Sequence, residues 1–104
     1  MYFLFSFILL IFISCTQKSQ DPLIQKGRLL YQARCISCHN ANPKIAGSVG
    51  PEIFGASLEV LKVKIQEGAY PLGYTPKRNT HAMPKQSLSD EEIKYLFQYL
   101  NAKP

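Results

Sequence analysis

The chain of 104 residues has no apolar run of eighteen or more, which excludes an ordinary membrane-spanning helix. It has no repeat at solenoid periods and no low-complexity tract, so stacked-repeat and compositionally disordered architectures are excluded as well. No segment alternates apolar and polar residues as a half-buried strand would. Side chains that serve metals or redox chemistry are scarce: three cysteines, two histidines and two methionines. The first fourteen residues carry no charged side chain, so all 12 Lys+Arg and all 7 Asp+Glu fall in the remaining ninety. Ninety residues make one small domain and exclude a large multi-domain enzyme. A core of that size is marginal without a disulfide, a metal or a cofactor. The hydrophobic content of 46% and charged content of 18% are those of an ordinary globular chain.

Tyr2 to Ile13 is apolar except for Ser6. Twelve residues are too few to cross a bilayer but suit the central region of a secretory signal. Ser14-Cys15 follows, a small residue immediately before a cysteine, and resembles the lipobox of bacterial lipoproteins. The match is incomplete: Phe12 stands where Leu is usual, and no Lys or Arg precedes the apolar stretch. The expectation is a lipoprotein-type signal peptide over 1–14, a linker over 15–22 and a folded domain over 23–102. Cys15 is the expected lipidation site, giving a periplasmic protein tethered to a membrane. An ordinary signal cleaved nearby, or an uncleaved apolar anchor, are the alternatives.

Cys35-Ile36-Ser37-Cys38-His39 is a C-x-x-C-H sequence, the attachment signature of c-type haem. Two thiols add across two vinyl groups, and the adjacent histidine is thereby held beneath the iron as a ligand. Other uses of the pair compete. A thioredoxin-like dithiol wants a preceding strand and a βαβ context, whereas the flanks here read as helix. A structural zinc site wants four ligands at paired spacings, and only Cys35, Cys38, His39 and the distant His81 are present. A disulfide across two residues closes too short a loop to staple a fold.

Helical spacing surrounds the motif. Leu23, Ile24, Gly27, Leu30, Tyr31 and Arg34 predict a first helix, with Asp21-Pro22 at its start. Glycine inside a helix costs up to about 1 kcal/mol relative to alanine, and a close helix crossing would justify Gly27. Ser57 and Gly68 bracket a helix over Leu58 to Glu67, with Leu58, Leu61 and Ile65 inward and Glu59, Lys62 and Gln66 outward. Ser89 and Glu92 form a capping-box pattern before a terminal stripe of Ile93, Leu96, Phe97 and Leu100, which Tyr99 widens. The fold expected is all-α with two long loops, 40–55 and 69–87, that could wrap two sides of a flat cofactor.

Across residues 23–102 the sequence resembles the class I monohaem cytochromes c. The residues that carry the resemblance are Gly27, Tyr31, Cys35 to His39, Gly50-Pro51, Met83-Pro84 and the terminal helix. It implies three main helices around one covalent haem c, with the first helix packed on the last near Leu96 and Tyr99. It implies that the Pro51 carbonyl accepts a hydrogen bond from the proximal His39, and that Met83 is the sixth iron ligand. The residues around Met83 agree, because a lone methionine in a polar, Pro-rich loop is not an obvious core residue. A thioether is also a soft ligand suited to a redox metal. His81, two residues away, is the rival ligand and would give a bis-histidine haem of lower potential.

With both axial positions filled, such a site exchanges electrons rather than activating bonds. The leading expectation is therefore a one-electron carrier and not an enzyme. The alternatives are a cytochrome subunit of a larger oxidase, peroxidase or dehydrogenase, or a haem-based ligand sensor. The formal charge of +5 includes Lys44, Lys77, Arg78 and Lys85 in the two loops, which could steer the protein to an acidic patch on a redox partner. The basic residues do not cluster with aromatics, so nucleic acid is not an expected partner.

Overall fold

The computed structural model describes residues 21–103, so the expected signal peptide, most of the linker and Cys15 lie outside it. Among the described residues the regular structure is α1 (Pro22–Arg34), α2 (Leu58–Lys62), a π-helical turn (Val63–Glu67) and α3 (Asp90–Leu100), in that order. Among the described residues there is no strand. The expected all-α class holds.

Local chemistry fixes each helix start. The Asp21 carboxylate accepts from the Leu23 N–H, and Pro22 occupies the first turn, where its missing N–H costs nothing. The Ser57 hydroxyl accepts from Val60 N–H at 3.2 Å. Ser89 and Glu92 close the full capping box, each side chain meeting the other residue's backbone N–H at 3.1 Å. Asp90, Glu91 and Glu92 in the first turn of α3 also suit the positive end of the helix dipole.

α1 crosses α3 at Gly27. A Cβ there would overlap the Tyr95 carbonyl and lie 2.8 Å from the Tyr99 Cβ, so only a residue without a side chain permits this approach. One turn further on, Tyr31 is fully buried and its ring lies 5.6 Å from that of Tyr99, tilted by 50°. Ile93, Leu96 and Leu100 complete the buried face of α3, with Leu61, Ile65 and Leu88 against them. Leu23 is 42% exposed, because it lies in the first turn before the crossing.

The middle helix departs from expectation. It is α-helical only over Leu58–Lys62 and continues as a π-helical turn over Val63–Glu67, ending at Gly68 with φ +68°. Lys64 and Ile65 are both buried, three and four residues after the buried Leu61 and so on the same face of the middle helix. Lys62 and Gln66 do face outward, but they are engaged: Lys62 pairs with Asp90, and Gln66 donates to both the Leu88 carbonyl and Asp90.

Candidate functional site

The C-x-x-C-H segment leaves α1 in one further turn. Cys38 N–H and His39 N–H both donate to the Cys35 carbonyl, at 3.2 and 2.9 Å. That turn gathers the two thiols and the imidazole at one end of the helix. The Tyr31 hydroxyl donates to the Asn40 carbonyl and so ties the residue after His39 back to α1.

His39 is 8% exposed, and its Nδ1 lies 2.8 Å from the Pro51 carbonyl. A carbonyl can only accept, so the ring proton sits on Nδ1 and Nε2 keeps its lone pair free. Gly50 is buried against the ring. The loop holding Pro51 is fastened twice to the motif, since Val49 N–H and Gly50 N–H both donate to the Cys38 carbonyl.

These groups line one side of a cleft of about 420 Å³, inside the range of roughly 300–1,000 Å³ usual for cofactor pockets. The cleft runs between the two long loops; Pro51 and Ile53 come from the first, Met83 and Pro84 from the second. Met83 is half-buried and packs against the apolar core. His81 is exposed and does not line the cleft. Cys35, Cys38, His39, Pro51 and Met83 thus meet at one cleft.

The Cys35 thiol is in a poor environment for other chemistry. Burial pushes Cys35 up to about 11, with the Arg34 cation pulling it down and Cys38 pushing further up, so the thiol stays protonated at neutral pH. Both cysteines are free, and among the described residues no three His, Cys, Asp or Glu side chains gather as a metal cluster.

Residues 22–100 match the family described as cytochrome c oxidase, cbb3-type, subunit III. The chain belongs to that family. The cytochrome bc1 complex cytochrome c subunit of Corynebacterium diphtheriae is also similar, 30% identical over 60 residues that cover 58% of this chain and 21% of that protein. The chain therefore spans about a fifth of the length of that curated relative.

A cytochrome c of this kind carries one covalent haem c and transfers electrons. The residues on the cleft wall fit such a group. Apart from the free Nε2 and the pair of thiols, the notable feature is Lys64, which sequence reasoning left unremarked. It is only 9% exposed, lines the cleft and places its ammonium 4.2 Å from the centre of the Tyr70 ring. Among the described residues no carboxylate pairs with it. A buried cation without an anion is costly, and the acidic groups of a haem would supply one. The one acidic residue on the wall, Glu52, is already committed: its side chain pairs with Lys77 at 3.2 Å, and its carboxyl is held below the usual range by its own backbone N–H and by Lys77.

Lys77 and Arg78 were expected to flank the methionine loop as free charges. In the structure they fasten the second loop to the first. Lys77 donates to the Glu52 carbonyl at 2.9 Å, and the Arg78 guanidinium donates to the Val49 and Gly47 carbonyls at 2.8 and 3.1 Å. Lys44 rests over the Phe54 ring at 4.7 Å. No sequence signal marks these contacts, because their partners are mainly backbone carbonyls and a ring brought near only by the path of the loops.

Proposed function

We propose that the domain over 23–102 carries one electron at a time through its haem, with His39 and Met83 as axial ligands and Cys35 and Cys38 as the points of attachment. The observation that carries this reading is the His39 Nδ1 bond to the Pro51 carbonyl at 2.8 Å. It leaves Nε2 free in a cleft whose opposite loop brings Met83. When bound, the haem supplies a metal that alternates between ferric and ferrous states. The chain's own residues do the rest. The Pro51 carbonyl orients the imidazole and raises its basicity. The apolar walls keep water away, and Lys64 receives negative charge. A thioether opposite the imidazole raises the potential relative to bis-histidine ligation. Exposure of His81 outside the cleft supports Met83 over it.

Residues 1–14 are read as a lipoprotein-type signal peptide and 15–22 as a linker, with Cys15 lipidated and the domain held at a membrane facing the periplasm. Redox proteins with an acidic patch are the expected partners. Lys85 remains a candidate for such docking, whereas Lys77 and Arg78 are largely spent inside the molecule. A second reading, a cytochrome c subunit of a larger redox enzyme, is supported by the names of the matched family and relative, both of which are subunits of complexes.

A redox titration of the haem-loaded protein tests the proposal. It should give one reversible one-electron step, and Met83→Ala should lower the midpoint and admit external ligands such as carbon monoxide or imidazole. An unchanged midpoint and spectrum in Met83→Ala would move the ligand role to His81.

A further inference from the structure

Residues 79–85, the arch that presents Met83, make no hydrogen bond to any other described residue. The arch is held at its two ends. At the front, Lys77 and Arg78 are fastened to the first loop as described above. At the back, four contacts join the middle helix to residues 86–90. Gln86 N–H donates to the Ile65 carbonyl at 2.8 Å. The Gln66 side-chain amide donates to the Leu88 carbonyl at 3.1 Å and to Asp90 Oδ1 at 2.8 Å. Lys62 Nζ reaches the other oxygen of Asp90 at 3.4 Å.

The end of the middle helix at Gly68 makes this possible, because the last four carbonyls of a helix have no partner within it. In an uninterrupted α-helix the Ile65 carbonyl would accept from Ala69 N–H. Here Ala69 N–H turns to the Val63 carbonyl at 3.4 Å, and Ile65 is left free to receive Gln86. The last turn also carries Gln66, whose two N–H groups close on two acceptors of different segments. The Lys62–Asp90 pair is exposed on both sides and contributes little in water. The weight falls on Gln66, a neutral double donor whose bond to the Leu88 carbonyl is partly buried beside the 5% exposed Leu88.

We propose that Gln66, in the last turn of the middle helix, is a positioning residue for Met83: it clamps the chain just beyond the arch and thereby holds the sulfur in the cleft. The inference rests on the reading of Met83 as sixth ligand. It concerns how firmly that ligand is held, and hence how readily the position opens.

The test is an optical titration of the haem-loaded ferric protein with imidazole. Gln66→Met keeps the length of the side chain and removes both donors. Two lost hydrogen bonds should tighten imidazole binding about tenfold, since the competing methionine is then held less firmly. Gln66→Glu, which also sets a charge against Asp90, should act in the same direction and serves if the first variant does not load haem. Asn101→Ala is the control for general loosening. It removes an amide that donates to the Ala56 carbonyl at 2.9 Å, and it should leave imidazole binding as in the parent. Parent-like affinity in both Gln66 variants overturns the proposal, as does an equal gain in Asn101→Ala. Met83→Ala, titrated alongside, separates the two ideas. If it binds imidazole no more tightly than the parent, the ligand reading fails and the clamp with it. If it does bind more tightly while the Gln66 variants do not, only the clamp fails.

Discussion

Gly50 stands against the His39 imidazole, where an added Cβ would overlap the ring and lie 2.8 Å from Nε2. The neighbouring Pro51 carbonyl fixes the ring from the other nitrogen. Between them they leave the imidazole one orientation. Gly50→Ala should therefore push the ring off the Pro51 carbonyl, at an overpacking cost of about 1–3 kcal/mol. The expected result is a lower yield of haem-loaded protein and an altered haem spectrum; parent-like yield and spectrum would show that the ring has room to spare. The dipeptide Gly50-Pro51 was legible in the sequence as part of a resemblance, but the physical need for glycine was not. It depends on an imidazole eleven residues earlier in the chain folding back against it. Lys64 was hidden for a similar reason. Its position lies on the inward face, three residues after Leu61, but a lysine there ordinarily reads as solvated, and its burial at the cleft wall shows only in the fold.

At the scale of elements, the three helices were legible because their starts are written in local chemistry: Asp21-Pro22, Ser57, and Ser89 with Glu92. The crossing of α1 on α3 was legible too, from a glycine where a helix would otherwise avoid one. Gly27 meets the Tyr95 backbone and Tyr99, and Tyr31 and Leu96 share the same buried cluster. Gly27→Val should force the helices apart, because the obstruction is a backbone carbonyl that cannot rotate away. A cost of about 3 kcal/mol lowers Tm by about 10 °C or more in a domain of this size. An unchanged Tm would contradict the packing. The π turn was not legible. Val63 to Glu67 has no proline or internal glycine to mark a break, and the terminal carbonyl of Ile65 is used by Gln86, some twenty residues away in sequence.

At the scale of the whole molecule, the buried apolar core is small: Tyr31 and six aliphatic residues, mainly between α1, α3 and the middle helix. The two loops, which outnumber the helical residues around the cleft, are ordered by side chains reaching backbone carbonyls. Such a fold leaves space for a large flat group in the cleft between the loops. The cofactor was legible from five consecutive residues, Cys35 to His39. The latch made by Lys77 and Arg78 was not, since cations in a polar loop read equally well as solvated. An optical spectrum, oxidised and reduced, of protein made in an exporting host with haem-attachment machinery tests the central claim most directly. The expected result is a c-type spectrum with the weak methionine-to-ferric-iron charge-transfer band at the near-infrared edge. A c-type spectrum without that band would contradict Met83 as ligand, and a colourless protein would contradict the covalent haem itself.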